Sequence, residues 1–87
     1  MSIDQLRQEI DAIDAQLLQL LNARAAKAMQ IGRIKSAMQL PITDSGRERA
    51  VIESLTELNR GPLATEHITR LFSQIIEICR SLQTREK

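Results

Sequence analysis

Residues 3–38 contain no proline, open on a Ser2-Ile3-Asp4-Gln5 capping-box pattern and carry apolar side chains at three- and four-residue steps almost throughout. That pattern predicts one very long helix. At 1.5 Å per residue it spans roughly 54 Å, whereas a compact chain of 87 residues has a radius of gyration of about 12 Å. A monomer would leave half of this rod uncovered. The stripe of Ile3, Leu6, Ile10, Ile13, Leu17, Leu20 and Leu21, continued by Ala28, Ile31, Ile34 and Met38, needs a cover along its whole length. The rest of the chain supplies helices of only about 15 and 20 residues, so a second copy of the chain is expected to supply part of it.

The second helix follows the Gln39-Leu40-Pro41-Ile42-Thr43 connection, where Pro41 cannot continue a helix and biases Leu40 towards extended backbone. Asp44 or Ser45 can cap it. Val51, Ile52, Leu55 and Leu58 form its apolar side, and it stops at Asn59-Arg60-Gly61-Pro62. The third helix is expected to be capped by Thr65, with Glu66 favourable in its first turn and Ile68, Leu71, Phe72, Ile75, Ile76, Ile78, Cys79 and Leu82 as its apolar set. No stretch alternates as a strand does. The expected fold is all-α: residues 1–87 as a single domain of three helices, paired in an intertwined helical homodimer.

Composition narrows the function. The single cysteine excludes an internal disulfide and multi-cysteine metal sites, and fits a reducing compartment. Net charge is +1, the basic residues are scattered, and Phe72 is the one aromatic residue, so nucleic-acid binding has little support. No glycine-rich phosphate loop or metal-ligand spacing is present, and neither a nucleotide nor a metal cofactor is indicated. With no apolar run of membrane-spanning length and no signal-peptide pattern, a soluble cytoplasmic protein is expected.

Against this plain background, several polar residues stand on faces that a bundle core would fill with apolar ones. Arg24 and Lys35 are eleven residues apart, which returns to nearly the same helix azimuth, with Ala28 and Ile31 between them. Glu48 lies three, four and seven residues before Val51, Ile52 and Leu55, so its carboxylate shares their stripe, and Arg47 flanks it. Gln83 continues the four-three-four series Phe72, Ile76, Cys79. Each has an ordinary reading taken singly: a solvated charged face, a first-turn electrostatic role, a fraying terminus. Jointly, a small bundle would bury cations, a carboxylate and an amide without partners, which is costly. An anionic, oxygen-rich small molecule would satisfy them together. Cys79 reads more readily as a small core residue than as a nucleophile, and His67 as a surface or capping residue. Gly32, inside the first helix, costs about 1 kcal/mol relative to alanine; it marks a close helix crossing or a slight bend, or else lets a ligand or another backbone approach near residues 33–35. Arg7 precedes Arg24 by 17 residues, roughly 25 Å along the axis and about 100° away in azimuth. The two cannot grip one metabolite from the same chain, but an antiparallel partner could bring its own Arg7 to the Arg24/Lys35 pocket.

These residues resemble the all-α chorismate mutases over nearly the full length. The match runs from Leu6-Arg7-x-x-Ile10-x-x-Ile13-Asp14 through Leu18-x-x-Leu21-x-x-Arg24 and Ile31-Gly32-x-x-Lys35 to Asp44-x-x-Arg47-Glu48-Arg49, Ile68-x-x-Leu71-Phe72-x-x-Ile75-Ile76 and Gln83. The resemblance implies conversion of chorismate to prephenate, an intramolecular Claisen rearrangement on the branch towards phenylalanine and tyrosine, in an intertwined homodimer with shared sites. It implies no cofactor, metal or covalent intermediate. By the same resemblance Arg24 and the partner's Arg7 clamp carboxylates, Lys35 and Gln83 donate to the ether oxygen, and Glu48 accepts from the ring hydroxyl. Asp44 then contributes through its backbone or by ordering the loop, and Arg47 is a supporting cation. Cys79 stands where relatives often carry a serine near the substrate carboxylate; a thiol is the weaker donor there.

Two alternatives compete. Isochorismate pyruvate lyase shares the fold and much of the cationic pocket, and the complete Asp44-x-x-Arg47-Glu48 set favours the mutase. A non-catalytic dimeric helical regulatory module accounts for the long helix but not for Glu48 and Gln83 on apolar faces. The polar ending Thr84-Arg85-Glu86-Lys87 suits a terminus or a linker into a further domain.

Overall fold

The structure, a computed structural model, describes residues 1–85, the side chain of Arg85 excepted; Glu86 and Lys87 of the polar ending lie outside the described residues. Among them the chain forms three helices, α1 (Ile3–Ala37), α2 (Ser45–Leu58) and α3 (Thr65–Arg85), and no strand. The molecule is elongated, 54 × 24 × 15 Å with a radius of gyration of 15.9 Å, because α1 sets its long axis. No helix among the described residues is long and apolar enough to cross a membrane.

The start of α1 follows from its first residues. Ser2 Oγ accepts from the Gln5 amide at 3.1 Å, and the Gln5 side chain accepts from the Ser2 amide at 3.1 Å, satisfying two of the otherwise unpaired donors of the first turn. Its end is less obvious. Met38 is the C-cap and Gln39 takes φ +58°, while Gln39 and Leu40 donate their amides to Ser36 and Lys35 carbonyls at 3.2 and 2.8 Å. These two bonds make a Schellman closure, which normally uses glycine at the left-handed position. Left-handed backbone costs a side-chain-bearing residue about 1–2 kcal/mol, partly offset by the entropy glycine loses on folding. Gln39→Gly is therefore expected to raise stability by about 0.5–1 kcal/mol, read as a higher urea midpoint at unchanged slope. An unchanged or lower midpoint would contradict this account of the turn.

The cap of α2 is Asp44, whose Oδ1 accepts from the Arg47 amide at 3.0 Å. At the other end Asn59 closes the turn, donating to the Leu63 carbonyl at 2.7 Å and accepting from the Gly61 amide at 3.0 Å. Thr65 is the first helical residue of α3 and not its cap. The capping role falls to Ala64 and His67: the imidazole Nδ1 accepts from the Ala64 amide at 3.0 Å, as the acidic partner of a capping box does. Ala64 has no side-chain acceptor, so only the second half of a capping box, from the third helical residue back to the cap amide, is present.

Helix α3 packs against both α1 and α2. Its face of Ile68, Ile76 and Cys79 is buried, and in α1 Gly32 alone is. Val51, Ile52 and Leu55 of α2 are half-buried, whereas Leu58, assigned to the same side, is exposed. Leu71 and Ile78 of α3 are likewise exposed, forming a second apolar face turned from the other two helices. The uncovered surface concentrates on the first half of α1, where Ile3 is 67% exposed, Ile13 54% and Leu20 68%. So small a core stabilises a single chain weakly.

Candidate functional site

Gly32 sets the spacing between α1 and α3. A Cβ placed on it would lie 2.9 Å from Gln83 Cβ, 3.0 Å from Cγ and 3.1 Å from Cα, so only glycine lets the two helices cross this closely. Of the two readings of Gly32, the helix crossing is the one found. The crossing brings the Gln83 amide against α1, where Nε2 donates to the Ala28 carbonyl at 3.0 Å. That bond fixes which end of the amide is nitrogen and leaves its second N–H for another acceptor. Gly32→Ala is expected to lower stability by about 1–2 kcal/mol, because overpacking against the Gln83 backbone outweighs alanine's better helix propensity. Denaturant unfolding checks the sign, and a stabilised variant would contradict it.

A cavity of about 410 Å³ opens between α1 and α2 above α3. From α1, Arg24 and Lys35 line it with Ala28 and Ile31, as their shared azimuth requires. From α2 and the segment before it come Asp44, Arg47 and Glu48, and from α3 Cys79 and Gln83. Seven of the eight residues singled out in the sequence thus meet around one cavity. Arg7 does not, since it sits on the uncovered first half of α1 and is exposed.

The hydrogen bonds show how each group is held. Arg24 Nη1 donates to Cys79 Sγ at 3.1 Å, so the buried thiol is an acceptor that orients a guanidinium. Lys35 Nζ donates to the Ile42 carbonyl at 3.2 Å, tying the end of α1 to the α1–α2 connection and leaving two of its three donors. Asp44 spends an oxygen on its own helix, as the capping bond above shows, which favours loop ordering over direct contact with a ligand.

Two charged lining residues were not anticipated, Lys27 and Arg80. The spacing could have found both: Lys27 lies four residues before Ile31, and Arg80 continues Ile76 by four and precedes Gln83 by three. Arg80 Nη2 lies 3.2 Å from each oxygen of the Glu48 carboxylate, in a pair whose side chains are 36% and 29% exposed. Its Nε is buried with no partner among the described residues, an unmet donor of the kind that costs about 1–3 kcal/mol. With Arg80 and Lys27 included, five cations and two carboxylates line the cavity. The excess of positive charge, with apolar walls from Ile31, Val51 and Ile76, suits a small multiply charged anion.

Comparison with known proteins gives a consistent picture. The family model for chorismate mutase type II matches residues 6–84. The bifunctional chorismate mutase/prephenate dehydratase of Aquifex aeolicus is 40% identical over 89 aligned positions, covering 98% of this chain and 25% of that protein. The chain spans about a quarter of the length of the curated relatives it matches. Among solved structures, form II of the chorismate mutase from Thermus thermophilus superposes with a TM-score of 0.95 at 34% identity, covering 98% of this chain and 97% of that one. The chorismate mutase from Helicobacter pylori in complex with prephenate gives 0.89 at 31% identity, covering 97% and 91%.

Proposed function

The chain belongs to the chorismate mutase type II family, and from that premise we propose that it converts chorismate to prephenate at the cavity between α1 and α2, on the route to phenylalanine and tyrosine. The observation that carries the reading is the meeting of Arg24, Lys35, Glu48 and Gln83 from three helices around one cation-rich cavity. The reaction is a unimolecular rearrangement: the ether C–O bond breaks as a C–C bond forms, the electrons move in a closed cycle, and no proton or leaving group departs. No nucleophile paired with a base is needed, and the cavity lining offers none.

What the residues supply is shape and charge. Arg24, oriented by Cys79, clamps one carboxylate through its planar fork. Lys35 and Gln83, each anchored by one bond to a backbone carbonyl, present their remaining donors to the ether oxygen, where negative charge develops as the C–O bond breaks. Glu48 accepts from the ring hydroxyl, Asp44 holds the loop in register and Arg47 adds positive potential. Holding the flexible diacid in its compact reactive conformer removes much of the entropic barrier.

The active unit is a homodimer in which the partner's Arg7 completes the site. The support is the uncovered apolar first half of α1 and the separation of Arg7 from the cavity its own chain lines. We place the protein in the cytoplasm, in keeping with its single free cysteine and the absence of a membrane-crossing helix among the described residues.

A direct assay tests the reading. Purified protein is incubated separately with chorismate and with isochorismate, and its mass is taken on a sizing column. Prephenate from chorismate and the mass of a dimer are expected. Pyruvate from isochorismate without prephenate from chorismate would overturn the proposal in favour of a lyase.

A further inference from the structure

Arg80 is the one member of the Glu48 pair that the mechanism above leaves without a task. Its placement is odd on stability grounds alone. Half-buried ion pairs gain little net stability once desolvation is counted, and this one also leaves the Arg80 Nε buried and unpartnered among the described residues. A side chain kept at such a cost needs another reason. The surroundings of Glu48 supply it: Arg24, Lys27, Lys35 and Arg47 line the same cavity. A carboxylate free to choose among them would fold onto one and withdraw a donor that the substrate needs.

We propose that Arg80 is a positioning residue, which holds the Glu48 carboxylate from the α3 side and keeps it off Lys35 and Arg47, so that the cavity stays poised for a hydroxyl-bearing dianion. The role rests on the mutase reading above. One guanidinium nitrogen 3.2 Å from both oxygens holds the carboxylate towards α3. An ionised carboxylate has about four lone-pair sites, so acceptor capacity remains for a ligand hydroxyl.

The experiment has two arms on the full chain. In the first, kcat/KM for chorismate is measured for the wild type, Arg80→Met, Arg80→Lys, Glu48→Gln and Arg80→Met combined with Glu48→Gln, with unfolding curves beside them. Arg80→Met is expected to lower kcat/KM about 10-fold with the fold retained, Arg80→Lys to recover part of the loss, and Arg80→Met to change it less than twofold once Glu48 is Gln. Equal losses in both backgrounds would assign Arg80 to the substrate directly and overturn the proposal, as would no loss in either. In the second arm a crystal structure of Arg80→Met, without ligand, is expected to show the Glu48 carboxylate moved onto Lys35 or Arg47. Glu48 left in place would also overturn the proposal. The second arm reads the pair whether or not chorismate proves to be the substrate.

Discussion

Replacing Lys35 by alanine is expected to lower kcat/KM for prephenate formation by about 10²- to 10³-fold, the loss that follows removal of one preorganised donor to a developing oxyanion. The fold should survive. The backbone carbonyl of Lys35 holds the Schellman closure through Leu40, and alanine leaves that bond in place. What is lost is the Nζ contact to the Ile42 carbonyl, at a part-buried position where one neutral acceptor left to solvent costs about 1 kcal/mol. A steady-state assay of chorismate consumption, paired with an unfolding curve, separates chemistry from stability. Activity within a few fold of wild type would remove Lys35 from the mechanism.

The second large effect is expected at a residue that touches nothing in the cavity of its own chain. Arg7 lies on the exposed first half of α1, roughly 25 Å along the helix from Arg24. If each site stood within one chain, Arg7→Ala would be nearly silent, as most exposed substitutions are. If the partner's Arg7 grips a substrate carboxylate, removing it should cost about 2–5 kcal/mol of transition-state binding, or roughly 30- to 5,000-fold in kcat/KM. Sizing-column mass must stay that of the wild type for the loss to count. A loss accompanied by dissociation would instead place Arg7 in the interface alone.

Much of this was legible in the sequence because the relevant physics is local. The capping box at Ser2 and Gln5, the end of α1 ahead of Pro41 and the Asp44 cap each need only a few neighbouring residues. So does the shared azimuth of Arg24 and Lys35, since helix geometry alone carries them to the same cavity. The misses are tertiary or unconventional. Gln39 adopts a left-handed conformation that glycine usually marks, and Thr65, read as the cap of α3, is its first helical residue. Gly32 inside a helix marked a close crossing, but which residue of α3 lies opposite it is not disclosed by α1. Arg80 was missed although it continues Ile76 by one helical turn, because a charged residue beside an apolar series reads as solvated until its partner on another helix is known.

In the proposed shared site the long first helix is where packing and catalysis join: a second copy covers the rod, and the cation on the uncovered half serves that copy's cavity. Subunit mixing tests that link most directly. Arg7→Ala and Lys35→Ala proteins, each nearly inactive, are exchanged by mild unfolding and refolding, and heterodimer formation is verified with a tag on one of them. A shared site predicts that activity returns, because each heterodimer then holds one cavity with both residues intact. If activity stays at the level of the separate variants despite confirmed exchange, each chain works alone and the shared-site account is wrong.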